Sequence, residues 1–275
     1  MVRCSLMAGA AAALAGALVG CSSSPKAAAM ADATPVPVYA AGSLREAFTE
    51  IARQHEARTG QQVALTFGAS GLLRERIERG EPAQVFASAD TDHPRRLAAR
   101  GGWQQPTVFT RNALCALTSE LISATPEALL ATMLQADVRL GTSTPGADPS
   151  GDYAWALFRQ ADAVQPGAYA QLDAKALKLT GGADSPKPPA GRGTYAWVMD
   201  QRQADVFLTY CTNAVAAQAE VPRLRVVQLP ATLQVGAAYG LAVRTDAPAS
   251  AAAFAQTLLQ PPAQAVLQRM GFGRP

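Results

Sequence analysis

Four short stretches place small and hydroxyl residues where an apolar run hands over to a helical pattern. They are Ala41-Gly42-Ser43, Gly68-Ala69-Ser70-Gly71, Pro149-Ser150-Gly151 and Gly191-Arg192-Gly193-Thr194. Each opens a helix, where the first backbone N–H groups lack an intrahelical partner and the positive end of the helix dipole lies. A serine there has two uses. It caps its own helix, or it joins the N–H groups in holding an anion. Any one of these turns reads most simply as a cap. Four of them in one chain favour convergence on an oxyanion, because N–H and O–H donors hold such a charge without lysine or arginine.

Other chemistry is sparse. The chain has 275 residues, 24 basic and 21 acidic side chains, two histidines and a net charge of +3. So weak a charge argues against a dedicated nucleic-acid surface, which shows a basic stripe. Two histidines leave little for His-based metal sites or proton relays. His55 stands mid-helix among Arg and Glu, and His93 starts a helix; both read as surface residues rather than catalytic bases. A serine hydrolase would need one of them beside Ser43 or Ser70. Gly68-Ala69-Ser70-Gly71 is not a nucleophile elbow, since Leu72 stands where the second glycine belongs. No Walker loop, dinucleotide fingerprint or zinc-type cysteine cluster is present. Asp90 and Asp92 read as caps rather than a cation site, and Tyr153 and Tyr195 as core anchors of their helices. Trp103, Trp155 and Trp197 have no regular spacing and read as core or surface residues.

Those turns need elements on either side, and the pattern supplies them. With 49% apolar and 16% charged residues the chain is globular. Val36–Ala40, Gln62–Phe67, Ala83–Ala87, Ala113–Leu117, Val138–Leu140, Asp205–Tyr210, Leu224–Gln228 and Tyr239–Val243 read as strands. Leu44–Arg58, Leu72–Arg79, Pro94–Arg100, Tyr153–Gln160, Tyr195–Gln203, Ala251–Leu259 and Ala263–Met270 read as helices. Strands alternating with helices predict an α/β fold with mainly parallel sheets. The stretch Thr180–Gly193, rich in proline and glycine, is expected to be irregular.

The N-terminus is a targeting segment. Arg3 precedes an apolar run too short to span a bilayer comfortably, so residues 1–20 read as a secretory signal. Leu18-Val19-Gly20-Cys21 resembles the lipobox of bacterial lipoproteins, which implies lipid on Cys21 and a membrane-anchored mature protein. An ordinary signal peptide with an unrelated cysteine is the alternative. Residues 21–35 are Ser-, Ala- and Pro-rich, a flexible tether. Cys4 leaves with the signal, so Cys115 and Cys211 remain, either as a disulfide or as buried thiols.

Read in order, Val38-Tyr39-Ala40-Ala41-Gly42-Ser43-Leu44, Phe67-Gly68-Ala69-Ser70-Gly71 and Ala87-Ser88-Ala89-Asp90 resemble the periplasmic molybdate-binding proteins of ABC importers. Pro149-Ser150-Gly151-Asp152-Tyr153-Ala154 is similar to that family's P-x-G-x-Y-A stretch, and Ala204 to Ala214 to its A-D-x-G-I-V-Y-x-T-D-A stretch. The resemblance spans residue 36 to the C-terminus. It implies a two-lobed clamp with a two-stranded hinge: residues 36–113 plus 237–275 as lobe one and 114–236 as lobe two.

The implied function is capture of tetrahedral molybdate or tungstate and delivery to an ABC importer permease, with no enzyme activity, cofactor, free metal ion or nucleic acid. The protein is expected to be periplasmic or extracytoplasmic and monomeric. The implied ligands are Ser43 and Ser70 through hydroxyl and N–H, the Ala154 N–H, the Tyr210 hydroxyl, and an N–H at Arg192 or Gly191. The family usually carries an aliphatic residue where Arg192 stands, and Asp where Asn213 stands. Arg192 therefore either adds a charged contact or points to solvent. The alternatives are a binder of another oxyanion or small carboxylate, and a secreted α/β serine hydrolase.

Overall fold

Strand and helix alternate from Val36 onward in the computed structural model, which describes residues 34–275. The expected signal segment 1–20, the expected lipidation at Cys21 and the expected tether up to residue 33 lie outside the described residues. The first half comprises β1 Val36–Ala41, a 3-10 turn at Gly42–Leu44, α1 Arg45–Thr59, β2 Val63–Gly68, α2 Ser70–Glu78, β3 Val85–Ser88 and α3 Asp92–Ala99. Then come β4 Thr107–Thr118, α4 Leu129–Leu134, β5 Leu140–Ser143, α5 Pro149–Val164, α6 Ala168–Lys175 and β6 Leu177–Thr180. The chain continues with α7 Thr194–Asp200, β7 Val206–Tyr210, α8 Cys211–Glu220, β8 Arg225–Gln228, β9 Gly236–Val243, α9 Ala249–Leu259 and α10 Pro261–Arg269.

Local sequence explains most of these boundaries. In α1, Ala47, Phe48, Ile51, Ala52 and His55 recur at helical spacing and are buried, and Gly60 at φ 75° ends the helix in the left-handed region. Helix α5 begins at Pro149, which has no N–H to leave unpaired, and Asp148 caps it by accepting from the Ser150 N–H. It therefore starts four residues before the apolar spacing from Tyr153 suggests. Four elements lie outside the sequence expectation: α4, α6, β6 and α8. Between β6 and α7 there is no helix or strand, as expected from its prolines and glycines.

The strands form one sheet in the order β2-β1-β3-β9-β4-β7-β5-β6, with β8 beside β4. Pairing is parallel in the two outer parts, β2–β1–β3 and β6–β5–β7. It is antiparallel in the middle, where β4 and β9 join the halves. Strand β4 changes partners midway: Thr107–Ala113 pair with β9 and Leu114–Thr118 with β7. It is thus longer than the apolar run Ala113–Leu117, and the change falls between Ala113 and Leu114.

Alternation along each strand feeds two faces. In β1 and β3, Val38, Ala40, Val85 and Ala87 pack with Phe48, Ile51, Phe254 and Leu258 on one face. Tyr39 and Phe86 pack with Leu73, Ile77 and Leu97 of α2 and α3 on the other. In the second half, Val206 and Leu208 meet Leu157 and Phe158 of α5, while Phe207 meets Val198 and Met199 of α7. Helices on both faces leave the strand ends and helix beginnings as the exposed chemistry of the fold.

Candidate functional site

The turns after β1, β2 and β7 and the turn before α5 meet at the seam between the two halves. Ser43 lies in the 3-10 turn, and its Oγ is 2.9 Å from the Tyr239 hydroxyl. Ser70 is the first residue of α2, only 1% exposed, and its Oγ accepts from the Ala89 N–H at 3.1 Å. Tyr210 ends β7, and its hydroxyl donates to the Ala89 carbonyl at 3.1 Å. The backbone of Ala89 thus bridges Ser70 of the first half and Tyr210 of the second.

The Gly71 N–H also crosses the seam, donating to the Ala147 carbonyl at 2.8 Å. A β-carbon at Gly71 would lie 2.3 Å from the Gly146 carbonyl oxygen, so only glycine permits this approach. The contact brings the first turn of α2 against the turn that opens α5. Two positive helix ends facing each other repel unless negative charge lies between them. Ser150, second residue of α5, is fully buried there, and its Oγ has no partner among the protein's own groups. Its N–H donates to Asp148 Oδ1 at 3.0 Å.

Aromatic rings wall the seam. Tyr210 and Tyr239 stand with centroids 5.5 Å apart, and Tyr153 packs edge-on against Tyr210 at 6.2 Å. Burial raises the pKa of Tyr153, Tyr210 and Tyr239 above the ordinary phenol value, so all three stay neutral donors. Tyr195, mainly through burial, is pushed up to about 12, with its hydroxyl 3.4 Å from Ser143 Oγ. Burial pushes the Asp148 carboxyl up to about 6, against the lowering effect of the Ser150 N–H and Ser143 hydroxyl.

The structure brings Ser43, Ser70 and Tyr210 together and gives two other expected ligands different work. Ala154 is the sixth residue of α5, beyond the four N–H groups a helix leaves unpaired, and its side chain is buried in the core. Ser150 occupies the end of that helix instead. The Arg192 N–H donates to the Pro189 carbonyl at 3.1 Å. Its guanidinium is bonded to Glu220 and Asp200, which raise its already high pKa. Glu220 also accepts the Gly193 N–H at 2.8 Å, so a carboxylate of the protein itself occupies the start of α7. Gly191 adopts φ 80° in that loop.

Both histidines are buried, which corrects the surface reading. His55, 2% exposed, lies 3.0 Å from Thr257 Oγ1 and edge-on to Phe254, and burial lowers its pKa. His93, 3% exposed, has its Nε2 3.8 Å from Asp90 and a pKa lowered by burial first. Asp90 caps α3 through the His93 N–H and also accepts from Ser88 Oγ. Asp92 pairs with Arg95 on the surface. The histidine neighbours found here do not include Ser43 or Ser70, whose hydroxyls bond Tyr239 and the Ala89 N–H. Cys115 of β4 and Cys211, the residue after Tyr210, are joined in a disulfide with Cα atoms 4.8 Å apart. Among the described residues, no group of three or more His, Cys, Asp or Glu is placed to hold a metal ion. None of the described helices is long and apolar enough to cross a membrane.

A sheet of two parallel wings joined by paired middle strands, with helix beginnings facing one seam, is an α/β binding-protein fold. The chain belongs to the bacterial extracellular solute-binding protein family, whose profile matches residues 36–273. It is 39% identical over 209 residues to the uncharacterized protein PM1146 of Pasteurella multocida (strain Pm70), covering 76% of this chain and 86% of that one. It is 29% identical over 267 residues to the molybdate-binding protein ModA of Mycobacterium tuberculosis (strain H37Rv), covering 94% and 93%. The fold matches the Azotobacter vinelandii periplasmic molybdate-binding protein with a TM-score of 0.68 at 19% identity, over 87% of this chain and 99% of that one. The resemblance read from the motifs and the α/β binding-protein fold therefore both stand.

Proposed function

We propose that the chain captures a tetrahedral oxyanion, molybdate or tungstate, at the seam and delivers it to an ABC importer permease. The observation that carries this reading is the meeting of Ser43, Ser70, Ser150 and Tyr210 at facing helix beginnings, with the buried Ser150 hydroxyl still unpaired. Hydrogen bonds from such donors to a charged oxygen are stronger than neutral ones. Donors left unmet in a buried site are costly, so cavity size and donor placement select the anion. The name of the mycobacterial relative, a molybdate-binding protein, supports molybdate.

In this reading the lobes are residues 36–113 plus 237–275 and residues 114–236, hinged where β4 changes partner and where β9 begins. Lipid on Cys21 anchors a monomeric, periplasmic or extracytoplasmic binding protein to a bacterial membrane, with residues 21–35 as tether. The protein performs no catalysis.

A thermal-shift panel of molybdate, tungstate, sulfate, phosphate and small carboxylic acids tests the function, because a ligand bound only by the native state raises apparent stability. Molybdate and tungstate are expected to give the largest shifts. A larger shift with a carboxylic acid would overturn the oxyanion assignment, and ester turnover with no oxyanion response would favour a hydrolase.

A further inference from the structure

We propose that Tyr239 and Asn112 are positioning residues that aim the Ser43 hydroxyl at the anion, through a relay running along both middle strands to α8. The inference rests on the oxyanion reading above and gives roles to two residues that touch no anion in it.

Asn112 lies on β4 just before the strand changes partner, and Tyr239 lies on β9; they are 7% and 0% exposed. The orientation of the carboxamide follows from its neighbours. Its Oδ1 accepts the Ala113 N–H at 2.9 Å. Its Nδ2 donates to Thr212 Oγ1 in α8 at 2.9 Å and to the Tyr239 hydroxyl at 3.2 Å. An amide nitrogen has two protons, and each has one of these acceptors. The Tyr239 oxygen thus accepts a hydrogen bond from Asn112 and has its own proton to donate, for which Ser43 Oγ lies 2.9 Å away.

The direction of that last bond decides the chemistry. With Tyr239 donating, the Ser43 oxygen is filled on its acceptor side and its own proton points onward. Ser70 reaches the same state by another route, because its oxygen accepts the Ala89 N–H. Both serines then face the seam as donors, the polarity a fully deprotonated oxyanion requires. The relay also connects Ser43 in the first half with Thr212 in the first turn of α8, two residues after Tyr210. Displacing α8 would disturb the aim of Ser43.

The test is a double-mutant cycle read by calorimetric titration of molybdate. Tyr239→Phe retains the ring and removes the donor. Asn112→Asp retains the shape and replaces two N–H donors with an acceptor, turning the phenol proton away from Ser43. Each is made alone and with Ser43→Ala, and the ligand-free fold is checked by near-UV circular dichroism. Each change is expected to raise Kd by about five- to tenfold in the unaltered background. Much less than that should remain of the Tyr239→Phe effect once Ser43 is alanine, because coupled residues are non-additive. For Asn112→Asp, the part of the loss that vanishes with Ser43 measures the relay, and the part that persists measures added charge.

Losses that simply add, or no loss at Tyr239→Phe in a folded protein, overturn the relay. Should Tyr239→Phe fail to fold, the Asn112→Asp cycle decides alone by the same criterion. A Kd unchanged by Ser43→Ala overturns the oxyanion reading at Ser43 and the relay with it. The same follows if the unaltered chain binds neither molybdate nor tungstate.

Discussion

Substituting alanine for Gly71 should separate closure of the two halves from the stability of either. The new Cβ would stand 2.3 Å from the Gly146 oxygen, 2.7 Å from the Ala147 oxygen and 2.9 Å from the Ala147 Cα, all across the seam. These are backbone atoms, which cannot turn aside as a side chain would. Ordinary contact begins at 3.4 Å, so the halves must retreat by 3.4 − 2.3 = 1.1 Å. That retreat breaks the 2.8 Å bond from Gly71 N–H to Ala147, a net loss of about 0.5–1.5 kcal/mol. It also draws donors of one half away from an anion held by the other, and each such charge-assisted bond contributes about 1.5–3 kcal/mol. Together these predict a rise in Kd of about thirty- to several-hundred-fold, or about 2–4 kcal/mol. Calorimetric titration with molybdate measures the loss, and a melt of the ligand-free protein measures the fold. The broken bond alone should lower the midpoint without ligand by no more than about 6 °C, with the fold retained. A Kd within about threefold of the unaltered chain, with the fold intact, would refute closure through this contact.

Three further outcomes follow from other parts of the structure. Reducing the Cys115–Cys211 disulfide, which closes a separation of 96 residues, should remove about 2–5 kcal/mol of stability in denaturant titrations with and without reductant; unchanged stability would show that the link contributes nothing. Asp148 has a folded-state pKa of about 6 against an ordinary 3.8, so the native state binds the extra proton and stability falls as pH rises between those values. Asp148→Asn should therefore gain stability over the parent across that window, levelling above pH 6 at no more than about 3 kcal/mol, and a gain independent of pH would contradict the assignment. Arg192→Ala should leave the oxyanion Kd within about twofold and lower the melting midpoint by no more than about 3 °C, because its exposed guanidinium serves Glu220 and Asp200. A tenfold loss of affinity would return Arg192 to the site.

The fold was largely legible because its strands and principal helices carry their own periodicity. Leu44, Ala47, Phe48 and Ile51 announce α1, and the same spacing continued to His55 would have shown that histidine on the buried face. Its charged sequence neighbours obscured this, since they occupy the opposite face. The three hydroxyls that meet at the seam, Ser43, Ser70 and Tyr210, stand at strand ends that the apolar runs reveal. Ser150 was read at the opening of α5, but the helix start was read late, because its apolar spacing begins at Tyr153 while Pro149 and the Asp148 cap start it earlier. Arg192 was misplaced for a tertiary reason. Its partner Glu220 ends α8, an alanine-rich helix with no apolar stripe to announce it, and no local pattern shows that a carboxylate already fills the start of α7. Tyr239 and Asn112 have no local signal at all, since their roles arise only where β4 and β9 lie side by side.

Molybdenum retained after equilibrium dialysis against molybdate, counted by elemental mass spectrometry, tests the central claim most directly. The comparison is between the unaltered chain and the Ser43→Ala/Ser70→Ala double variant. The account predicts about one molybdenum per unaltered chain, and affinity at least about tenfold weaker in the variant, or about 1.4 kcal/mol. Equal retention by both proteins, or no retention of molybdate or tungstate by the unaltered chain, would contradict it.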